Sequence, residues 1–175
     1  TIMSLLIKNI GELFTGYEIL KNTCIYIEDG KIKSIGKEEK ADEVIDAENK
    51  FVMPGFVDCH THAVFSGYRD FELEWKIEGL SYQEIASKGG GIWYTVEETK
   101  KASKEKLKEE ATKRIKEMLT YGTTTAEVKS GYGLDLENEI KILEVINELN
   151  AIDIVPTFLA HAIPKGMEEK EYVDY

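Results

Sequence analysis

The chain has 175 residues and a formal charge of −11, from 22 Lys and Arg against 33 Asp and Glu; this argues against nucleic acid as a partner, because phosphate binding rests on cationic side chains. Apolar residues make up 42%, enough for a packed core, which excludes a disordered chain. No apolar run is long enough to span a bilayer and no basic-then-apolar leader opens the chain, so a cytoplasmic protein with no membrane partner is expected. Cys24 and Cys59 stand far apart with no Cys-x-x-Cys spacing, which fits a reducing compartment. Thr1 and Ile2, ahead of Met3, read as foreign to the natural start and are set aside.

In chain order, residues 3–10 are apolar and β-prone, and residues 23–27 alternate with Ile25 and Ile27 on one face. Asp29-Gly30 then precedes the alternating run 31–35, the strongest short-range hairpin signal. After a polar stretch at 37–43, short strands are expected at 44–46 and 51–53. Residues 1–53 thus read as a small antiparallel β unit. Such short strands cannot bury both faces alone, so a β-sandwich layer packed on something else is expected.

The stretch Pro54-Gly55-Phe56-Val57-Asp58-Cys59-His60-Thr61-His62 reads as an apolar strand ending in two histidines. In extended chain, residues i and i+2 project to the same side, so His60 and His62 can aim both imidazoles at one divalent metal. Imidazole suits zinc, iron, nickel and copper alike. Asp58, on the same side, could orient one ring. Cys59 points the other way and is expected as a small core residue.

Residues 63–94 form a long, irregular segment with Gly67, Gly79 and the triplet Gly89-Gly90-Gly91. Ser81-Tyr82-Gln83-Glu84 has the form of a capping box opening a short helix. The triplet either lets backbone approach a ligand or forms a hinge. Thr95-Val96-Glu97-Glu98 reads as a second capping box, starting one long helix to about residue 121, with Gly122 as the stop. Its buried stripe is expected at Leu107, Ala111, Ile115, Met118 and Leu119. The Lys and Arg cluster at 100–116 alternates with Glu, as on a solvated face. A strand at 123–128, a helix from Asp135 to about residue 149, a strand at 152–159 with an awkward Pro156, and a helix near Glu168 complete the pattern.

From Phe56 the order is strand, helix, strand, helix, strand, helix, which implies parallel strands. His60 and His62 follow the first strand, Lys129 and Tyr132 the second, and His161 the third. All three histidines of the chain therefore fall just past strand C-terminal ends, where α/β barrels and open sheets hold their active sites.

These motifs resemble the imidazolonepropionases, a metal-dependent family of the amidohydrolase superfamily. The resemblance rests on the run from Pro54 to His62, on Phe71-Glu-Leu73, Ser81-Tyr-Gln-Glu-Ile85, Gly89-Gly-Gly-Ile92, Gly122-Thr-Thr-Thr125 and Glu127-Val-Lys-Ser-Gly-Tyr-Gly-Leu134, and on Val155-Pro-Thr-Phe-Leu159 with His161-Ala162. His-Thr-His is shared across the superfamily; the Glu127 to Leu134 run is specific to the family. The resemblance implies hydrolysis of the cyclic amide of 4-imidazolone-5-propanoate to N-formimidoyl-L-glutamate in histidine degradation, with one zinc or iron ion held by His60 and His62. It implies that Arg69 grips the substrate carboxylate with paired N–H donors and that Tyr82, Tyr132 and His161 are further substrate contacts. The expected partner is a small anionic molecule, and a homodimer is the assembly entertained. Lys129 stands where some relatives bridge two metals with a carboxylated lysine, and is expected here in a structural ion pair.

The expected architecture is α/β, a partial (β/α)8 TIM-type barrel over residues 54–175 preceded by the β-sandwich segment at 1–53. A complete barrel takes about 250 residues, and catalytic zinc usually has three protein ligands. The resemblance implies that the remaining ligands and the catalytic acid and base lie beyond residue 175, and these residues alone are expected to be inactive. Another cyclic amidase or deaminase of the superfamily, or a non-catalytic metal-binding fragment, are the alternatives.

Overall fold

The computed structural model describes residues 4–164 and 166–174. Expectations that touch residues 1–3 lie outside the described residues. The chain divides after Pro54 into two units.

The first unit is a five-stranded sheet. Strand β1 (Ser4–Phe14) pairs antiparallel with β2 (Ile19–Glu28), which pairs antiparallel with β3 (Lys31–Ile35). The β2–β3 turn is Asp29-Gly30, at φ 52° and 71°, the left-handed pair that a two-residue hairpin loop requires. Strands β4 (Glu43–Asp46) and β5 (Phe51–Val52) both run parallel to β1 along its other edge. The unit is therefore mixed, not antiparallel throughout: the polar stretch after β3 carries the chain across the sheet before β4 begins. Ile10, Leu13, Ile25 and Ala47 form its core, with Ile7, Leu20, Ile27 and Val52 packed against them. Ile10 is fully buried, a contribution of about 1.5–3 kcal/mol for a side chain of this size.

The second unit is mixed α/β. Strands β6 (Phe56–Thr61), β7 (Thr123–Lys129) and β8 (Asp153–Thr157) form a sheet in that order, all parallel. Ala126 and Val128 of β7 are buried, while Thr125, Glu127 and Lys129, which alternate with them, are only partly so, so one face of the strand turns to the helices. Helix α4 (Lys104–Thr120) supplies Leu107, Ala111 and Ile115 to that face, and α5 (Leu136–Asn147) supplies Ile142, Val145 and Ile146. Met118 packs on this core, but Leu119 is exposed, because it lies one position round the helix from the stripe. Pro156 sits in β8 opposite Val128; with β8 at the end of the described sheet, a strand lacking one N–H is tolerated.

Between β6 and β7 the helices differ from expectation. A short helix α1 (Glu72–Ile77) has no side-chain cap and so no cap signal in the sequence. Helix α2 (Tyr82–Ser87) has the expected reciprocal Ser81–Glu84 capping box. The expected single long helix is two: α3 (Ile92–Lys101) and α4, parted at Ala102, whose backbone is extended. Ser103 caps α4 by accepting from the Lys106 N–H. Thr95 is not a cap. It lies inside α3, buried, and its hydroxyl donates to the Gly67 carbonyl at 3.3 Å, a tertiary partner that outcompetes the local box. Gly91, at φ 73°, starts the helix instead. Asp135 caps α5 as expected, Gly122 at φ 93° ends α4, and α6 (Glu169–Asp174) follows β8. Among the described residues no helix is long and apolar enough to cross a membrane.

Candidate active site

Because β6, β7 and β8 are parallel, their C-terminal ends share one side of the sheet, and the loops beyond them converge. The His60 and His62 rings lie 5.7 Å apart at 60°, close enough for both to reach one ion. His62 stacks on His161 at 5.0 Å and 23° and lies 5.2 Å from the Tyr132 ring. Tyr132 and His161 meet edge to face at 5.5 Å. Residues from three separate loops thus form one aromatic cluster.

Local bonds position each member. The Thr61 hydroxyl donates to the Glu127 carbonyl at 2.8 Å, tying the end of β6 to β7. The Ser130 N–H donates to the Thr157 carbonyl, and the Leu159 N–H to the Ser130 hydroxyl, tying the loops after β7 and β8. Between them, Gly131 has φ 118°, and a Cβ there would lie 2.7 Å from that of His161; both facts demand glycine.

The electrostatics favour a neutral imidazole at His62. Burial lowers its pKa first, and the charges of His161, His60 and Lys129 push the same way, against a backbone contact with Ser130. Its Nδ1 is buried with no hydrogen-bond partner. A buried nitrogen left unpaired is unusual, and neutral imidazole is the form that ligates metal. The His60–His62 pair therefore fits two ligands of a divalent metal. Among the described residues no group of three or more His, Cys, Asp or Glu is arranged to hold one, so this donor set is incomplete. Burial raises the pKa of the Tyr132 phenol, opposed by the charge of Arg69, so the phenol stays a donor at neutral pH.

The remaining expected positions are not part of the ring cluster. Asp58 does not orient a histidine ring: its carboxylate accepts the His60 backbone N–H at 3.2 Å. Cys59 is exposed, not in the core, because no described element covers that face of β6. Arg69 is one-third exposed, with Nε 3.8 Å from the Glu72 carboxylate. Tyr82 lies outside the cluster; it is exposed, and its hydroxyl accepts the Ile92 N–H at 3.4 Å. Lys129 pairs with Glu127 at 2.6 Å, and Glu127 also accepts from the Thr157 hydroxyl, a structural bridge between β7 and β8. Gly91 donates its N–H to Glu72, so this part of the glycine triplet starts a helix.

Three residues that organise the site escaped the sequence reading. Buried Glu139 on α5 accepts N–H bonds from Gly131, Gly133 and Leu134 at 2.7–2.9 Å, holding the loop that carries Tyr132. Buried Glu72 is bonded by the Gly91 N–H at 2.6 Å and by Lys76 at 3.0 Å. Arg114 on α4 donates to the Ala63 and Phe65 carbonyls at 2.8 Å and lies 3.7 Å over the Phe65 ring, bracing the segment after His62. In a chain this rich in Glu, a carboxylate gives no signal of its burial.

The Amidohydrolase family model matches residues 43–88, which include His60 and His62. The imidazolonepropionase of Clostridium tetani is 42% identical over 98% of this chain and 48% of its own length. The chain resembles the N-terminal part of imidazolonepropionase. The imidazolonepropionase of Caldanaerobacter subterraneus subsp. tengcongensis is 46% identical over 93% of the chain and 41% of its own length. The chain thus spans less than half the length of these curated imidazolonepropionases. Among solved structures, a triazine hydrolase from Arthrobacter aurescens superposes with a TM-score of 0.59 at 18% identity, over 89% of this chain and 35% of its own. A mutant atrazine chlorohydrolase from the same organism, complexed with zinc and atraton, gives 0.54 at 19% identity over 87% and 35%. These structural matches establish a shared fold for the region they cover.

Proposed function

We propose that these residues are the N-terminal part of an imidazolonepropionase, which opens the cyclic amide of 4-imidazolone-5-propanoate with water to give N-formimidoyl-L-glutamate. The observation that carries the reading is the convergence of His60, His62, Tyr132 and His161 at the C-terminal ends of three parallel strands, in a chain 42–46% identical to imidazolonepropionases. In this reading the parallel sheet is the opening of a (β/α)8 barrel, and the first sheet is part of a β-sandwich layer. His60 and His62 hold one zinc or iron ion. Such an ion, when bound, lowers the pKa of water and polarises the carbonyl under attack.

The chain's own residues do the rest of what is assigned here. Arg69 offers its guanidinium to the substrate carboxylate, Tyr132 donates its phenolic proton to a substrate acceptor, and His161 lies against the substrate ring. Tyr82 is a further contact to that substrate carboxylate. The substrate is a small anion, the compartment is the cytoplasm, and neither nucleic acid nor membrane is a partner; the assembly entertained is a homodimer.

The experiment is an assay of the full-length protein carrying these residues, with imidazolonepropanoate, a hydantoin and dihydroorotate in parallel. Turnover of imidazolonepropanoate alone supports the proposal; preference for another cyclic amide replaces it with a different amidase. The incomplete donor set favours a second reading for these 175 residues taken by themselves, a metal-binding segment without catalysis. Ring opening by the isolated polypeptide with zinc would refute that reading.

A further inference from the structure

Arg69 is held from one side. Its Nε lies 3.8 Å from Glu72 Oε1, and among the described residues no hydrogen bond or ion pair engages its two terminal nitrogens. Glu72 is 2% exposed. Its Oε1 accepts the Gly91 N–H at 2.6 Å, its Oε2 pairs with Lys76 at 3.0 Å, and its own N–H donates to the Arg69 carbonyl. The backbone of residue 72 is thus bonded to residue 69, the Glu72 carboxylate is bonded to the start of α3, and the two side chains form an ion pair. The segment just before them is docked too: the Ser66 N–H donates to Thr99, and Gly67 accepts from Thr95. A Cβ at Gly67 would lie 2.6 Å from that of Glu98, so the segment seats directly on α3.

A guanidinium binds a carboxylate best through two parallel N–H donors. An ion-pair partner beside Nε leaves that terminal fork open and biases its direction. The rotamer freedom that a free arginine would lose on binding is already restricted. A carboxylate in bidentate contact with the terminal nitrogens would have done the opposite and blocked the fork. Because Glu72 is also engaged by Lys76 and the Gly91 N–H, its charge is shared among three donors, and Arg69 keeps a positive field toward a ligand.

We propose that Glu72 is a positioning residue for substrate carboxylate recognition: it clamps Arg69 through Nε and presents the free end of the guanidinium to the propionate arm. This rests on the imidazolonepropionase reading and deepens it. Glu72 itself touches no substrate.

The test is kinetic, in the full-length protein, with imidazolonepropanoate and its side-chain methyl ester as substrates. Glu72→Gln keeps the shape and an oxygen to accept the Gly91 N–H, but it removes the charge that holds Arg69. It is expected to raise KM for the free acid about tenfold with kcat within about twofold, and to leave the ester's KM unchanged. Arg69→Ala is expected to raise KM for the acid about a hundredfold. Lys113→Ala, which breaks an exposed pair with Glu109 on α4, is expected to leave both values unchanged. If Arg69→Ala raises KM and Glu72→Gln does not, the positioning role is overturned and the carboxylate reading stands. If Glu72→Gln impairs acid and ester equally, or lowers kcat alone, the residue is merely structural and the proposal is wrong. If Arg69→Ala leaves KM unchanged, both the role and the carboxylate reading fall.

Discussion

In the sheet that runs to Pro54, ion pairs lie at the surface: Glu12 with Lys21, Glu28 with Lys33 and Glu48 with Lys50 are all substantially exposed. Its core is aliphatic. The unit from Gly55 has an aliphatic core of its own, yet it also buries two carboxylates, Glu72 and Glu139. Each accepts backbone N–H groups from a glycine-rich loop. Burying a charge is costly unless it is paired and hydrogen-bonded, so the contrast marks where the fold must hold irregular backbone in one conformation. The first sheet is held by strand pairing and apolar burial; the second unit adds internal ionic clamps beside the cluster of imidazoles.

Removing a clamp should therefore cost more than removing a surface pair. Glu139→Ala leaves the N–H groups of Gly131, Gly133 and Leu134 buried without an acceptor. It is expected to lower unfolding free energy by about 3–5 kcal/mol and to disorder the Tyr132 ring. Denaturant unfolding and aromatic NMR check both, and Glu12→Ala in the first sheet should change neither measurably. A loss as small as that of a surface pair would erase the distinction between the units.

Next in size is Ile10→Ala in the first core, expected to cost about 2–5 kcal/mol through lost burial and the cavity left behind. The ring contacts among His62, Tyr132 and His161 should be unchanged in the folded protein, as read by nuclear Overhauser effects between those rings. Altered contacts would show that the first sheet also sets the geometry of the cluster. The smallest effect is Ser81→Ala, which removes one half of the capping box of α2 and is expected to cost about 1 kcal/mol. Faster amide exchange confined to the start of α2 would confirm that this loss stays local.

What could be read in advance followed the range of the interaction involved. The Asp29-Gly30 hairpin and the Ser81–Glu84 box are decided by residues within three positions of each other, and both formed as expected. The parallel order of β6, β7 and β8 followed from alternating strand and helix periods. The placement of β4 and β5 beside β1 did not, because it depends on where the chain crosses after β3. The break at Ala102 was hidden by a helical pattern on both sides of it. At Cys59, strict alternation pointed inward, but burial needs a covering element as well as a direction. For the site, histidine spacing was legible; the Glu72 and Glu139 clamps were not, since nothing local separates them from the many carboxylates that remain in solvent.

The central claim is that His60 and His62 act as a pair toward one metal ion. A zinc titration of the chain, followed by NMR of its three histidine rings, tests this most directly. The account predicts that the His60 and His62 signals shift together along one binding curve at one ion per chain, and that His62→Ala abolishes the shift at His60. Independent curves for His60 and His62, or a shift confined to His161, would contradict it.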